Sequence, residues 1–322
     1  MSGKLVIRPL TNMSRANIDK MADVLVTGCN SFVGAAIAKQ LEREGYQHII
    51  TDVDIDLRNQ SMVYGFFERE KPDYVFLSLP KNIGSSLYKY NKADFIHDQL
   101  MMQTNVMHAS HLYRVKKCLF VGSPYVYPPS LAQPLKESDM LSARMDSFHE
   151  SFGLVDILGV KMSQAYHFQY ETSYLSVIPT HIYGPGMPTE GTEKHILPFL
   201  WQQILAAKKQ NKNVLTLPGS ANEVNEFLYI EDFANACLFL MEQSFEGEVV
   251  NVGSGFIASK KLLAKWIAEE LGYDGKISFD VSSKKGVACL MLDSSKLNIL
   301  GWKAKISLKT GIHQMIADDS TF

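Results

Sequence analysis

The chain has 322 residues, a formal net charge of -2, 46% hydrophobic and 20% charged residues. That length suits one large domain or two modest ones, and the composition excludes disordered, collagenous and disulfide-framework classes. Near-neutral charge argues against nucleic-acid or membrane-surface binding by bulk electrostatics, so neither partner is expected. No apolar run reaches the ~18 residues of a membrane helix. Cys29, Cys118, Cys237 and Cys289 are scattered, with no C-x-x-C pair, so no zinc site or disulfide framework is suggested. Residues 1–22 are basic, and their apolar stretch is too short for a secretory signal. They read as an extension of a cytoplasmic protein.

In chain order, Asp23–Thr27 is a β-branched apolar run that reads as a buried strand. A helix pattern covers Val33–Glu44, with Val33, Ile37 and Leu41 at helical spacing. His48–Ile50 is a second strand, Met62–Glu70 a helix and Asp73–Ser78 a third strand. A long helix is expected over Ala93–Arg114, then a strand at Cys118–Val121. After a Pro- and Ser-rich loop (Ser123–Ser138) come a helix at Phe148–Glu171 and a strand at Tyr174–Pro179. Glu248–Val252 is a sixth strand. Strands alternating with helices of this length predict right-handed βαβ units and a parallel sheet covered on both faces.

The fold class is therefore α/β: a Rossmann-type doubly wound parallel sheet with a smaller C-terminal α/β lobe. The sheet domain is assigned 23–178 plus 228–256. The lobe takes 179–227 plus 257–322, where Pro/Gly loops, short strands and isolated helices (Ser259–Leu271, Leu308–Ala317) break the rhythm.

Thr27-Gly28-Cys29-Asn30-Ser31-Phe32-Val33-Gly34 joins the first strand to the first helix. A dinucleotide pyrophosphate sits at such a helix N-terminus. Gly28 and Gly34 have the outer spacing of G-x-x-G-x-x-G, and Ser31 stands at the middle glycine, where a Cβ crowds the phosphates. The functional reading is an NAD(P) cradle; the bland one is an inherited tight turn. Ile50–Asp54 offers carboxylates, Asp52 among them, and no arginine, so NAD(H) is favoured over NADP(H). Asp56-Leu57 is placed to reach the adenine.

The assembled pieces resemble the extended short-chain dehydrogenase/reductase superfamily of the NAD-dependent epimerase/dehydratase type, and within it the GDP-L-fucose synthases. The resemblance runs from Asp23 to the C-terminus. It is carried by Lys71–Leu77, Ala93–Ile96, Gly122-Ser123 with Tyr127-Pro128, Pro179–Gly186, His195–Pro198, Glu226–Tyr229, Asn251–Gly255 and Leu292–Ser295. It implies NADPH-dependent 3,5-epimerisation and 4-reduction of a GDP-4-keto-6-deoxy sugar. It also implies cofactor contacts from Leu79 and Pro179, and a homodimer paired through the long helices after the third and fourth strands.

Within that resemblance the chemistry is substituted. The family's Tyr-x-x-x-Lys pair donates a proton while the lysine lowers the tyrosine's pKa. Phe152 and Asp156 stand at those positions. Ser123 matches the family's serine, Tyr125 replaces its cysteine base, and His195 matches its histidine acid. The phosphate-clamping cations correspond to Gln203, Val224-Asn225 and Cys289-Leu290, and the asparagine of Pro-Thr-Asn to His181. His97, His108 and His111 share one predicted helix without a recognisable metal-ligand set.

Three functional readings stay open. The first is a non-catalytic binding or regulatory homologue. The second is a sugar epimerase with a changed, less anionic substrate, using Tyr125 and His195 with bound NAD(H). The third is a conventional NADP-dependent GDP-L-fucose synthase, against which residues 125, 152 and 156 argue.

Overall fold

Apolar runs of four to six residues can bury both faces only inside a sheet covered on both sides. The computed structural model, which describes residues 18–52, 54–80, 91–145, 150–188, 195–244, 247–282 and 290–318, shows that arrangement. The elements run β1 (Asp23–Val26), α1 (Phe32–Arg43), β2 (His48–Thr51), α2 (Gln60–Glu70), β3 (Tyr74–Leu77), α3 (Lys92–Leu112), β4 (Lys117–Val121) and α4 (Glu150–Tyr170). There follow β5 (Tyr174–Pro179), β6 (His181–Tyr183), α5 (Ile196–Lys209), β7 (Val214–Pro218), β8 (Val224–Tyr229), α6 (Ile230–Met241) and β9 (Val249–Val252). The chain closes with β10 (Ile257–Ser259), α7 (Lys260–Leu271), β11 (Lys276–Asp280), α8 (Ser295–Ile299) and α9 (Leu308–Ala317).

The main sheet has six parallel strands in the order β2-β1-β3-β4-β5-β9. Side chains alternate between its two faces. Val24 and Val26 join the core layer beneath α1 and α6, while Leu25 joins the opposite layer with α2, α3 and α4. Leu119 and Phe120 of β4 divide the same way. Ile18 and Ala22, just ahead of β1, are buried in the first layer.

A three-stranded sheet (β10-β8-β6) and a parallel pair (β11-β7) carry a third core with α5, α7 and α9. Two buried carboxylates hold this part to the rest. Asp232 accepts from the amides of Lys305 and Ile306 at 3.0 and 2.8 Å. Glu226 accepts from those of Gly255 and Leu292 at 2.7 and 2.9 Å. Burial raises both carboxyls above the ordinary range.

The expected elements fall within a residue or two of the observed ones in most cases, and the differences have local causes. α2 starts two residues early because the Asn59 side chain accepts from the Met62 amide at 3.2 Å. α3 stops before Arg114, which turns left-handed at φ 58°. α5, α6 and the strands of the smaller sheets are the elements that periodicity did not delimit. α6 follows β8 without an intervening loop.

The layer that matters for the site is α4 on β4, because β4 leads into Gly122 and Ser123 and α4 carries Phe152 and Asp156. A Cβ built at Gly159 would stand 2.4 Å from the ring of buried Phe120. Gly159→Ala is therefore expected to cost about 1–3 kcal/mol by overpacking. The midpoint of urea unfolding measures it, and an unchanged midpoint would show that α4 does not depend on this close approach.

Candidate functional site

The strand order reverses between β1 and β3, and the carboxyl ends of these strands open a crevice there. Over it lies a cavity of about 670 Å³. Its floor on one side is the glycine loop. Gly28 has φ +67°, and a Cβ there would come 2.3 Å from the Ser78 carbonyl, so the loop crosses β3 where only glycine fits. Thr27 ties the crossing: its hydroxyl donates to the Ser78 carbonyl at 3.0 Å and accepts from the Ser78 amide at 3.1 Å.

The structure brings most of the expected cofactor residues to this cavity. Gly28, Ser31, Phe32 and Val33 line it from the loop and first helical turn, Asp52, Asp56 and Leu57 from beyond β2, Leu79 from beyond β3 and Pro179 from the end of β5. Gly34 is different. It does not line the cavity; it seats α1 against the loop, where a Cβ would meet the Gly28 carbonyl at 2.2 Å. Ser31 at the middle position is the N-cap of α1, its hydroxyl accepting from the Gly34 amide at 3.3 Å. The amides of Phe32 and Val33, in the first turn, have no acceptor inside the helix.

Asp52 folds back onto the loop and accepts from the Gly28 amide at 2.9 and 2.8 Å. A carboxylate therefore sits at the helix end where an anionic ligand would bind. An arginine also reaches this rim, which the stretch Ile50–Asp54 did not reveal. Arg58 lines the cavity, but its guanidinium is held by Asp56 at 2.9 Å and by Asp98 of α3 at 2.9 Å. Hydrogen bonds from Arg58 hold the Asp56 carboxyl below its usual range. The pairing with Asp98 spans 40 positions and left no local signal. Arg58 is the only lysine or arginine among the described residues lining the cavity, against three aspartates.

At the far end stand Ser123, Tyr125, His181 and His195. Phe152 and Asp156 lie behind this wall. The Phe152 ring is buried against Phe95, 4.4 Å between centroids, and Tyr125, 6.0 Å. Asp156 has 0% exposure, and the Ser123 hydroxyl donates to its Oδ2 at 2.5 Å. Of the nearby tyrosines, Tyr127 is buried and donates to Asn251 at 2.6 Å; burial drives its pKa far above the ordinary value. Tyr183, which also lines the cavity, is raised in the same way.

Two expected substrate residues, Gln203 and Asn225, are not among the described residues lining the cavity. Gln203 is on the exposed side of α5, next to Ile204, which turns to the core. Asn225 is buried in β8, where its side-chain oxygen accepts from the Leu290 amide at 3.2 Å. Cys289 lies outside the described residues.

Residues 24–253 match the NAD dependent epimerase/dehydratase family. The chain belongs to that family. It is 36% identical over 298 residues to GDP-L-fucose synthase 1 of Arabidopsis thaliana, covering 92% of each chain. It is 33% identical over 300 residues to the GDP-L-fucose synthase of Escherichia coli, covering 90% of this chain and 94% of that one. Among solved structures, a GDP-mannoheptose C4 reductase from Campylobacter jejuni with NADP bound superposes with a TM-score of 0.85. That match has 29% identity and covers 94% of this chain and 99% of the other.

An NAD(P) cofactor, which the family implies, fits the cradle described here. The glycine crossing leaves room beside Gly28, and the first turn of α1 offers amides to a pyrophosphate. Cys29, inside the loop, is a test of its electrostatics. Burial first, and the Asp52 carboxylate second, push its thiol up to about 12. Alkylation of Cys29 by iodoacetamide at pH 8 is expected to run roughly a thousandfold slower than that of an unperturbed thiol, because only the thiolate reacts. Peptide mapping with mass spectrometry gives the rate, and labelling at an ordinary thiol's rate contradicts the assigned environment.

Proposed function

We propose that this epimerase/dehydratase-family chain binds NAD(H) in the cavity and a sugar-bearing ligand beside it, but does not reduce a 4-keto sugar. The observation that carries this is the pair behind Ser123. Carbonyl reduction needs a proton donor at the developing alkoxide and a neighbouring positive charge to lower that donor's pKa. The residues at those positions are a phenyl ring packed between Phe95 and Tyr125, and a carboxylate with no exposure. Aspartate reverses the sign of the charge, and the described cavity lining holds no lysine.

Within this reading, the first-turn amides of α1 hold the pyrophosphate, and Asp52 and Asp56 lie on the ribose and adenine side. Three aspartates line this side of the cavity, two of them engaging Arg58, and they disfavour an added 2′-phosphate, which supports NAD(H) over NADP(H). The bound nicotinamide would supply hydride chemistry if any were performed. A second reading has support from Tyr125 and His195, which line the same cavity: histidine as base and tyrosine as acid suit a keto–enol exchange next to a carbonyl.

Titration of the protein with NADH and NADPH, followed by protein-to-nicotinamide energy transfer, is expected to show binding with NADH the tighter. Incubation of that complex with GDP-4-keto-6-deoxy-D-mannose is expected to leave the 340 nm absorbance unchanged. Oxidation of the nicotinamide at a catalytic rate would overturn the reading. Exchange of solvent deuterium into the sugar, lost in His195→Ala, would favour the second one.

We also infer a homodimer through α3 and α4. Leu154 and Leu158, one turn apart on α4, are 43% and 51% exposed, and Leu112 ends α3 with 48% exposed. Burying such a stripe is the expected driving force for pairing. Sedimentation equilibrium should return twice the 36.2 kDa chain mass, and Leu158→Glu should return the monomer. A wild-type monomer at micromolar concentration would contradict the inference.

A further inference from the structure

In the contact between Ser123 and Asp156 the serine hydroxyl is the donor. A serine hydroxyl has one proton to donate and two lone pairs to accept with. Asp156 has 0% exposure, so its oxygens must find donors within the protein. The Ser123 hydroxyl donates to Asp156 Oδ2 at 2.5 Å, which commits its proton. The same serine, 6% exposed, lines the cavity. Toward a ligand there it offers lone pairs alone.

We propose that Asp156 is a positioning residue that makes Ser123 a hydrogen-bond acceptor, so that this wall of the cavity selects a sugar hydroxyl over a sugar carbonyl. The proposal rests on the reading that a sugar ligand occupies the cavity. It adds the oxidation state of that sugar. A carbonyl oxygen carries no proton for Ser123 and would place a second acceptor against it. A hydroxyl at the same place donates to Ser123 and extends a chain of donors ending on the carboxylate. Such chains strengthen each link by mutual polarisation.

The test is a matched pair of ligands differing only at C4. GDP-6-deoxy-D-mannose carries the hydroxyl, and GDP-4-keto-6-deoxy-D-mannose the carbonyl. Isothermal titration of each into the full chain saturated with NAD+ gives the ratio of their dissociation constants. The hydroxyl ligand is expected to bind about tenfold tighter or better, the scale of one hydrogen bond exchanged for an acceptor facing an acceptor. Asp156→Leu removes the carboxylate and frees the Ser123 proton, so the ratio should fall to one or reverse. Ser123→Ala, the milder change, should bring it near one without reversal. Loss of folded protein scales both affinities alike and leaves their ratio untouched, so the ratio reports hydrogen-bond direction and not stability.

A wild-type protein that binds both ligands equally, or prefers the ketone, overturns the proposal while leaving the ligand reading intact. An unchanged ratio in Asp156→Leu removes Asp156 from the explanation and overturns it as well. Binding of neither ligand overturns the proposal together with the reading on which it rests.

Discussion

A carboxylate wholly removed from water must be met by donors, and the cavity's far wall is organised around that demand. Asp156 takes the proton of Ser123. One turn earlier on α4, Phe152 fills its space with a ring packed on Phe95 and Tyr125. Removing one partner of such a buried hydrogen bond typically costs about 1–3 kcal/mol because the other is left unsatisfied. A residue fixed so firmly is part of the fold as well as of the site. The wall is thus an arrangement of a ring, a carboxyl group and a hydroxyl packed together at the far end of the cavity.

The two ends of the cavity are shaped by close backbone approaches at glycines, among them three. Gly28 crosses β3 at the Ser78 carbonyl, Gly34 seats α1 on the loop, and Gly159 lets α4 lie on Phe120. The first two aim the start of α1 into the crevice; the third sets the depth of Asp156 beneath Ser123. Geometry and electrostatics then act together. The cradle keeps the shape that receives a dinucleotide, while Asp52 on the Gly28 amide and the engaged Arg58 lower its appetite for further negative charge.

Membership of the epimerase/dehydratase family sets the frame in which these substitutions have meaning. A phenylalanine and an aspartate on a helix are unremarkable in themselves. At the two positions behind Ser123, they stand where the resemblance places the family's tyrosine and lysine.

Much of this was legible without coordinates. β1, the glycine loop and α1 were readable because their signals are local: a β-branched run, a glycine at a strand end, apolar residues at helical spacing. The same holds for the strands that end at Leu77, Val121 and Pro179, and hence for most residues lining the cavity. What the tertiary structure alone decided were meetings between residues far apart in the chain. Ser123 and Asp156 are 33 positions apart, Arg58 and Asp98 40, and the parallel partners β7 and β11 more than 60. Asn225 is buried in β8 with its side-chain oxygen engaged by the Leu290 amide, a partner 65 positions away. Periodicity specifies which face of an element is apolar, but not which distant side chain a buried charge will find. That choice is made by packing and by the need to satisfy every polar group that loses its water.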